Sequence, residues 1–355
     1  MKKEIGSIFP LSDEAISKAE SGHVSYSGNR LFYSLCREAL FDIAKAIDVT
    51  ERIVFIPAYT CQSVITPFEE AGWRCEYYPI TSFLRIDVRN LTEMVKKWRP
   101  SLIIVHPYFG MDLDEIEISL LINLRSMGVI IVLDLTQCLF STKLYSFPSF
   151  IVGSYRKWMP LPDGGYLQIL SDDTHIIQPE KENDRFVENE IAAMYLRGQY
   201  FIYGEQRMKA ISIRLSKMAD AAVKSGIVPH RMSQIAYNLL YDHNIECNKR
   251  IRYSNYEYLF SAIQERRKIK KVCNSLKIVT TAPLYFPIYV KDRHELQSKL
   301  AQDAIYAPVI WPVEDDRVLI NDEVKYIYDH LLAIPCDQRY DIMDMKRVVE
   351  IVNNY

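Results

Sequence analysis

No charge of either sign is in excess in this chain. Its 43 Lys and Arg stand against 45 Asp and Glu, a net charge of -2 over 355 residues. Neither nucleic acid nor an anionic membrane surface has an electrostatic claim on it. The basic run Arg266-Arg-Lys-Ile-Lys-Lys271 is short and reads as a solvated helix end. No apolar run is long enough to span a bilayer, and the first residues, Met-Lys-Lys-Glu-Ile, lack the apolar stretch of a signal peptide. Low-complexity tracts and internal repeats are missing. The cysteines (Cys36, Cys61, Cys75, Cys138, Cys247, Cys273 and Cys336) are odd in number, with no Cys-x-x-Cys and no histidine at zinc spacing. They argue against a zinc site, and no other metal is expected. Most fall in apolar runs and are expected to be reduced, buried thiols of a cytoplasmic protein.

What is present is an ordinary globular composition, 49% apolar and 25% charged, in a chain long enough for one large domain and a smaller one. Apolar runs of strand length alternate with helical periodicity through the first half: Arg52–Ile56, Arg74–Tyr78, Ser101–Val105 and Gly128–Asp134 read as strands. That alternation predicts βαβ units and a mostly parallel sheet. A helix is expected over Leu31–Ile47, one long helical pattern over Phe186–Lys224, and an edge strand with prolines over Tyr306–Trp311.

Two stretches carry chemistry. Phe150–Val152 looks like the end of a buried strand. A turn with Gly153 and Ser154 follows, then Lys157, two prolines and Gly164-Gly165 opening another apolar strand. A lysine between two core strands is expected near the interior, where burial lowers its pKa toward that of a nucleophilic, Schiff-base-forming amine. About twenty residues upstream, Gly128-Val-Ile-Ile-Val-Leu-Asp134 is an apolar run ended by an acid, with Gln137 close behind. Ligands of open α/β sheets bind beyond the carboxyl ends of the strands. A carboxylate that can face a pyridinium nitrogen and an imine-forming lysine are what pyridoxal 5'-phosphate (PLP) chemistry needs. Asp134 could equally be a helix N-cap, though not with the same oxygen.

Asp134-Leu-Thr-Gln137, Lys157 followed by Asp163-Gly164-Gly165, and Ile56-Pro-Ala-Tyr-Thr60, in this order, resemble the fold-type-I PLP enzymes. Within them they are similar to the DegT/DnrJ/EryC1/StrS sugar aminotransferases, with Asp163 where that family has Glu. The resemblance implies an α/β, aspartate aminotransferase-like PLP-dependent transferase fold: a large PLP-binding domain over 1–245, with an N-terminal arm and a divergent helical segment at 171–225, and a small C-terminal α/β domain over 246–355. It implies Lys157 as the catalytic amine, Asp134 on the ring nitrogen and Gln137 near the ring's phenolic oxygen. Ser154, Gly28, Asn29, Arg30 and Thr60 would take the phosphate. The family's ring-stacking aromatic is replaced by Cys61, which leaves Tyr59 as the nearby aromatic. The family's Asn before Arg231-Met-Ser is absent, with Pro229 and His230 there instead. His106 at a strand end reads first as a structural residue, Trp311 as core and Arg339 as surface.

The function implied is transfer of an amino group from an amino-acid donor to a keto group of a nucleotide-linked sugar, for surface polysaccharide, by a homodimer. A PLP enzyme acting on amino acids, with Arg339 or Arg347 on the α-carboxylate, is one alternative. A degenerate PLP fold that only binds or regulates is the other.

Overall fold

The computed structural model describes residues 3–22, 24–26, 29–171, 174–224 and 226–355. Along the first half run α1 (Asp13–Ser21), β1 (Arg30–Tyr33), α2 (Cys36–Ala46), β2 (Ile53–Pro57), α3 (Gln62–Glu70), β3 (Arg74–Tyr78), α4 (Val88–Trp98), β4 (Leu102–Val105), α5 (Glu115–Ser126), β5 (Ile130–Asp134), β6 (Phe150–Ser154) and β7 (Gly165–Ile169). The second half holds α6 (Asp184–Tyr203), α7 (Gln206–Ala222), α8 (Gln234–Asp242), α9 (Ile245–Ala262), β8 (Ile269–Lys271), β9 (Tyr285–Val290), α10 (Arg293–Gln302), α11 (Asp322–His330), β10 (Leu331–Pro335) and α12 (Ile342–Asn353). Among the described residues no helix is long and apolar enough to cross a membrane.

The seven-stranded sheet has the order β1-β7-β6-β5-β4-β2-β3. β3, β2, β4, β5 and β6 are parallel, and β7 runs against both of its neighbours. Central strands such as Leu102–Val105 and Ile131–Asp134 are buried throughout, as expected for a sheet covered on both faces. The order reverses at β2: its crossover leads outward to β3, and the chain then returns past β2 to β4. Open α/β sheets bind ligands at such a point, in the crevice beyond the strands' carboxyl ends.

A second sheet, β10-β9-β8, is antiparallel. Its edge is β8, made from the basic run read as a helix end. Arg266 and Ile269 form a turn there, and Ile269 is buried. The edge strand expected at Tyr306–Trp311 does not form. Pro308 and Pro312 lack N–H donors, and the segment instead lends the Pro308 carbonyl to Ala333 N–H (3.1 Å). The single long helix expected over Phe186–Lys224 is a hairpin of α6 and α7, broken at Gly204, which caps α6 at φ +74°.

The largest correction lies at α2. Leu31–Tyr33 fit a helical face by spacing, yet they form β1, pairing with Gly165–Leu167. The helix begins only at Cys36. Its first turn sits on β7 at Gly165, where a Cβ would lie 2.5 Å from Cys36 N and 2.7 Å from Leu35 C. Gly164 beside it has φ +137°, which favours glycine. Gly165→Ala is expected to lower the free energy of unfolding by about 1–3 kcal/mol, the range for overpacking, as read from urea denaturation midpoints. A midpoint equal to wild type would contradict this contact.

Candidate active site

Beyond the carboxyl ends of β2, β4 and β5 lies a narrow cleft. Asp134 ends β5 and is buried. Its Oδ1 accepts the Thr136 N–H (2.8 Å), closing a tight turn. Its Oδ2 faces Nδ1 of His106, at 3.5 Å, from the end of β4. The two oxygens thus divide the two roles open to this acid: one holds the turn, the other serves the cleft. Gln137 also lines the cleft. Its Oε1 accepts the Phe109 N–H (3.1 Å), so the side chain serves the cleft through its NH₂ as donor.

Lys157 lines this cleft with Asp134 and Gln137, but not as an interior lysine. Its side chain is exposed on the single chain. The turn after β6 sends Tyr155 and Trp158 inward and leaves Lys157 at the mouth. Trp158 fixes that turn: its indole N–H donates to the Thr136 carbonyl (2.8 Å). Beneath it the fully buried Arg252 lies 4.7 Å from the indole ring and donates to the Trp158 carbonyl (3.1 Å). The lysine turn and the acid turn are therefore one braced unit. Lys157 also lines a larger, open cavity between the segment Gly6–Phe9, β9 and α10.

The remaining expected residues are placed differently. Gly28 lies outside the described residues, and Asn29 precedes and Arg30 begins a strand, not a helix. Arg30 donates to the Tyr155 hydroxyl (2.8 Å) and lies over the Tyr166 ring. The anion-binding geometry belongs instead to α2 and α3, whose first turns, with Cys36, Arg37, Cys61 and Ser63, line the cleft. Their N-cap positions are Leu35 and Cys61, and neither side chain caps the helix. Glu38 reaches back to the Leu35 N–H (3.4 Å) and Arg37 donates to the Val223 carbonyl (3.0 Å), yet two first turns without a side-chain cap beside a guanidinium suit a phosphate. Ser154 is buried and does not line the cleft; neither does Tyr59, whose ring packs on Tyr108, Trp311 and Tyr328. Thr60 gives its Oγ1 to His106 Nε2 (2.9 Å).

Sequence reasoning missed Arg37 and Ser63 and set His106 and Trp311 aside. Both of the latter line the cleft. Burial, with Lys157 adding to it, holds the His106 pKa below the ordinary histidine value despite Asp134. Burial and the Asp134 charge push the Cys36 thiol well up, so it is no thiolate at neutral pH. Arg339 is no surface residue either. It is bidentate to Asp337 (2.8 and 2.8 Å), donates to the carbonyls of Ser7 and Ile8, and covers the Phe9 ring at 4.0 Å.

No family model and no curated protein sequence matches the chain. Solved structures do. PseC of Helicobacter pylori, an aminotransferase involved in pseudoaminic acid biosynthesis, superposes with a TM-score of 0.69 at 12% identity, over 99% of each chain. The fold is that of the PLP-dependent aminotransferases. CalS13 of Micromonospora echinospora, a sugar aminotransferase, matches with TM-score 0.65 and 14% identity over 98% of each chain. NtdA of Bacillus subtilis, solved with bound PMP, matches with 0.66 and 13% over 100% of this chain and 86% of its own. Within the aminotransferase fold, the Asp163-Gly-Gly turn is braced from below: Asp163 accepts the Ser233 N–H (2.9 Å) and hydroxyl (2.7 Å) at the start of α8.

Burial pushes the Asp163 carboxyl up to about 7, well above the ordinary carboxylate range, against those hydrogen bonds. The folded chain therefore keeps a proton that the unfolded chain releases. This contribution is fully present below about pH 4 and is lost as pH rises to about 7, roughly 4 kcal/mol in all. Asp163→Asn keeps an acceptor for the Ser233 N–H and a partner for its hydroxyl. Urea denaturation from pH 4 to 8 is expected to show wild-type stability falling across this window and a flatter curve for the variant. Parallel curves would contradict the buried-proton account.

Proposed function

We propose that this chain is a PLP-dependent aminotransferase that moves an amino group from an amino-acid donor to a keto sugar. The observation that carries the reading is the meeting of Lys157, Asp134 and Gln137 on one cleft at the sheet's switch point. The donor set suits the cofactor. Asp134 would face a protonated ring nitrogen, Gln137 would offer its NH₂ to a phenolic oxygen, and Arg37, Ser63 and the first turns of α2 and α3 would hold a phosphate. When bound, the cofactor supplies an electron sink for the substrate's carbon. Lys157 would hold the cofactor through Nζ. Once free, its amine takes a proton at the substrate carbon, general-base work worth about 10²–10⁴ in rate. The Trp158 brace keeps the amine at the mouth shared with the larger cavity.

That larger cavity supports an anionic acceptor. Arg156 and Lys157 line its walls beside the buried Arg252 and the Arg339–Asp337 pair, a net positive charge suited to a phosphate-linked sugar. Tyr285, Tyr306 and Phe9 add ring faces. The reading with an arginine on the α-carboxylate of an amino-acid substrate finds both of its candidates engaged. Arg339 is held as above, and Arg347 donates to the carbonyls of Lys3 and Asp303. We place the large domain at 1–245 and the small one at 246–355. We take the working form as a cytoplasmic homodimer in surface polysaccharide synthesis; the exposure of Lys157 on a single chain suits a mouth covered by a second copy.

Addition of PLP to the purified protein is expected to give a visible absorbance band that glutamate converts to the amine form. Lys157→Ala is expected to lose both the band and turnover. A protein that gains no band, or a variant that keeps it, would end this reading. A band unmoved by any amino donor would leave PLP binding without transamination.

A further inference from the structure

The cleft acid is reached from behind by a chain of contacts that begins on α11, a helix packed on the second sheet. Tyr328 of α11 is buried. Its hydroxyl accepts the Thr60 N–H (3.1 Å) and donates between the carbonyls of Ala58 (3.0 Å) and Thr60 (3.1 Å). One oxygen thus grips the peptide groups on either side of Thr60, at the bend where β2 gives way to α3. Arg293 of α10 in turn donates to the Tyr328 carbonyl (2.5 Å), fixing the end of α11. Thr60 is buried and β-branched, so its rotamer follows its backbone. Its Oγ1 meets His106 Nε2 at 2.9 Å. On the other side of the ring, Nδ1 faces Asp134 Oδ2 at 3.5 Å.

We propose that Tyr328 and Thr60 are positioning residues that set the tautomer of His106, and through it the direction in which Asp134 presents its carboxylate, on the Oδ2 side, to the cleft. The reasoning is one of donors and acceptors. An ionised carboxylate only accepts, so the ring nitrogen facing Asp134 carries the proton. Nε2 is then the acceptor, and Thr60 must donate its hydroxyl hydrogen to it. A histidine whose far nitrogen is engaged in this way is locked in one tautomer and one orientation. The other groups around the ring do not compete: Tyr108 meets it edge-on at 5.9 Å, Trp311 lies at 6.3 Å, and Lys157 carries charge of the wrong sign to take a proton from it. α11 is thus linked to Asp134 through three side chains, of which only His106 lines the cleft.

The consequence for chemistry rests on the aminotransferase reading, but the chain of contacts belongs to the protein alone. It can therefore be tested without cofactor. In protein labelled with ¹⁵N at histidine, with the His106 signals assigned by Glu or Gln replacement at that position, two-bond ¹H–¹⁵N spectra are expected to show His106 neutral and protonated at Nδ1. Thr60→Val removes the donor while keeping the shape. It is expected to shift the tautomer ratio by about tenfold, the size of one hydrogen bond. Tyr328→Phe removes one oxygen from a packed ring and is expected to shift the ratio in the same direction by less. Thr60→Ser is expected to restore the wild-type ratio. A wild-type ring protonated at Nε2, or a ratio unchanged in both variants, would overturn the proposal. If Thr60→Val does not fold, Tyr328→Phe carries the test alone. If the tautomer behaves as expected while no protein gains a visible band with PLP, the functional reading fails and the positioning chain stands.

Discussion

The arrangement depends on one constraint: three parallel strands, β2, β4 and β5, end side by side where the sheet reverses its order. Strand pairing sets their register, Val54 against Leu102 and Leu102 against Ile130. The residues just past each end are therefore neighbours in space although they lie 46 and 28 positions apart in the chain, as Thr60–His106 and His106–Asp134. Desolvation does the rest. Thr60, His106 and Asp134 are all buried, so each must find a partner, and the partners available are one another. A buried acid with one oxygen spent on its own turn and one left for the cleft follows from this geometry.

The second constraint is the bracing of the lysine turn. A long side chain at the mouth of a cleft is a poor positioning device by itself, because it has many rotamers to lose. Here its backbone is tied to the acid's turn by the Trp158–Thr136 hydrogen bond, and the indole is backed by Arg252. The Asp163-Gly-Gly stretch does the same for the other side, through Ser233 and through the close approach of Gly165 to the first turn of α2. Buried polar groups held by several hydrogen bonds favour one arrangement over its near neighbours.

The sheet and the triad of Lys157, Asp134 and Gln137 were legible in the sequence because fully buried parallel strands are continuous apolar runs, and a polar residue that breaks such a run marks the strand's end. The segment from Asn29 to Arg37 was not. Leu31, Phe32 and Tyr33 satisfy strand and helix spacing alike, and only pairing with β7 decides between them; the error moved the helix start from Cys36 back to Leu31. The same blindness to pairing hid β8 in the basic run, where Ile269 is the buried residue. Arg37 carried no signal, since an arginine in a first helical turn is ordinary until a cleft is found beside it. His106 and Tyr59 exchanged places for a related reason. Sequence shows that both follow strands, but not that the tyrosine ring packs into the aromatic cluster around Tyr328 while the imidazole faces the acid.

The central claim is that Lys157 Nζ is the amine that meets the cofactor. Borohydride reduction of the PLP-loaded protein, followed by proteolysis and mass spectrometry, locates that amine by the phosphopyridoxyl group left on it. The adduct is expected on Lys157 in near-stoichiometric yield, with other lysines modified only in traces. An adduct spread over surface lysines, or concentrated on a lysine away from Asp134, would contradict the account.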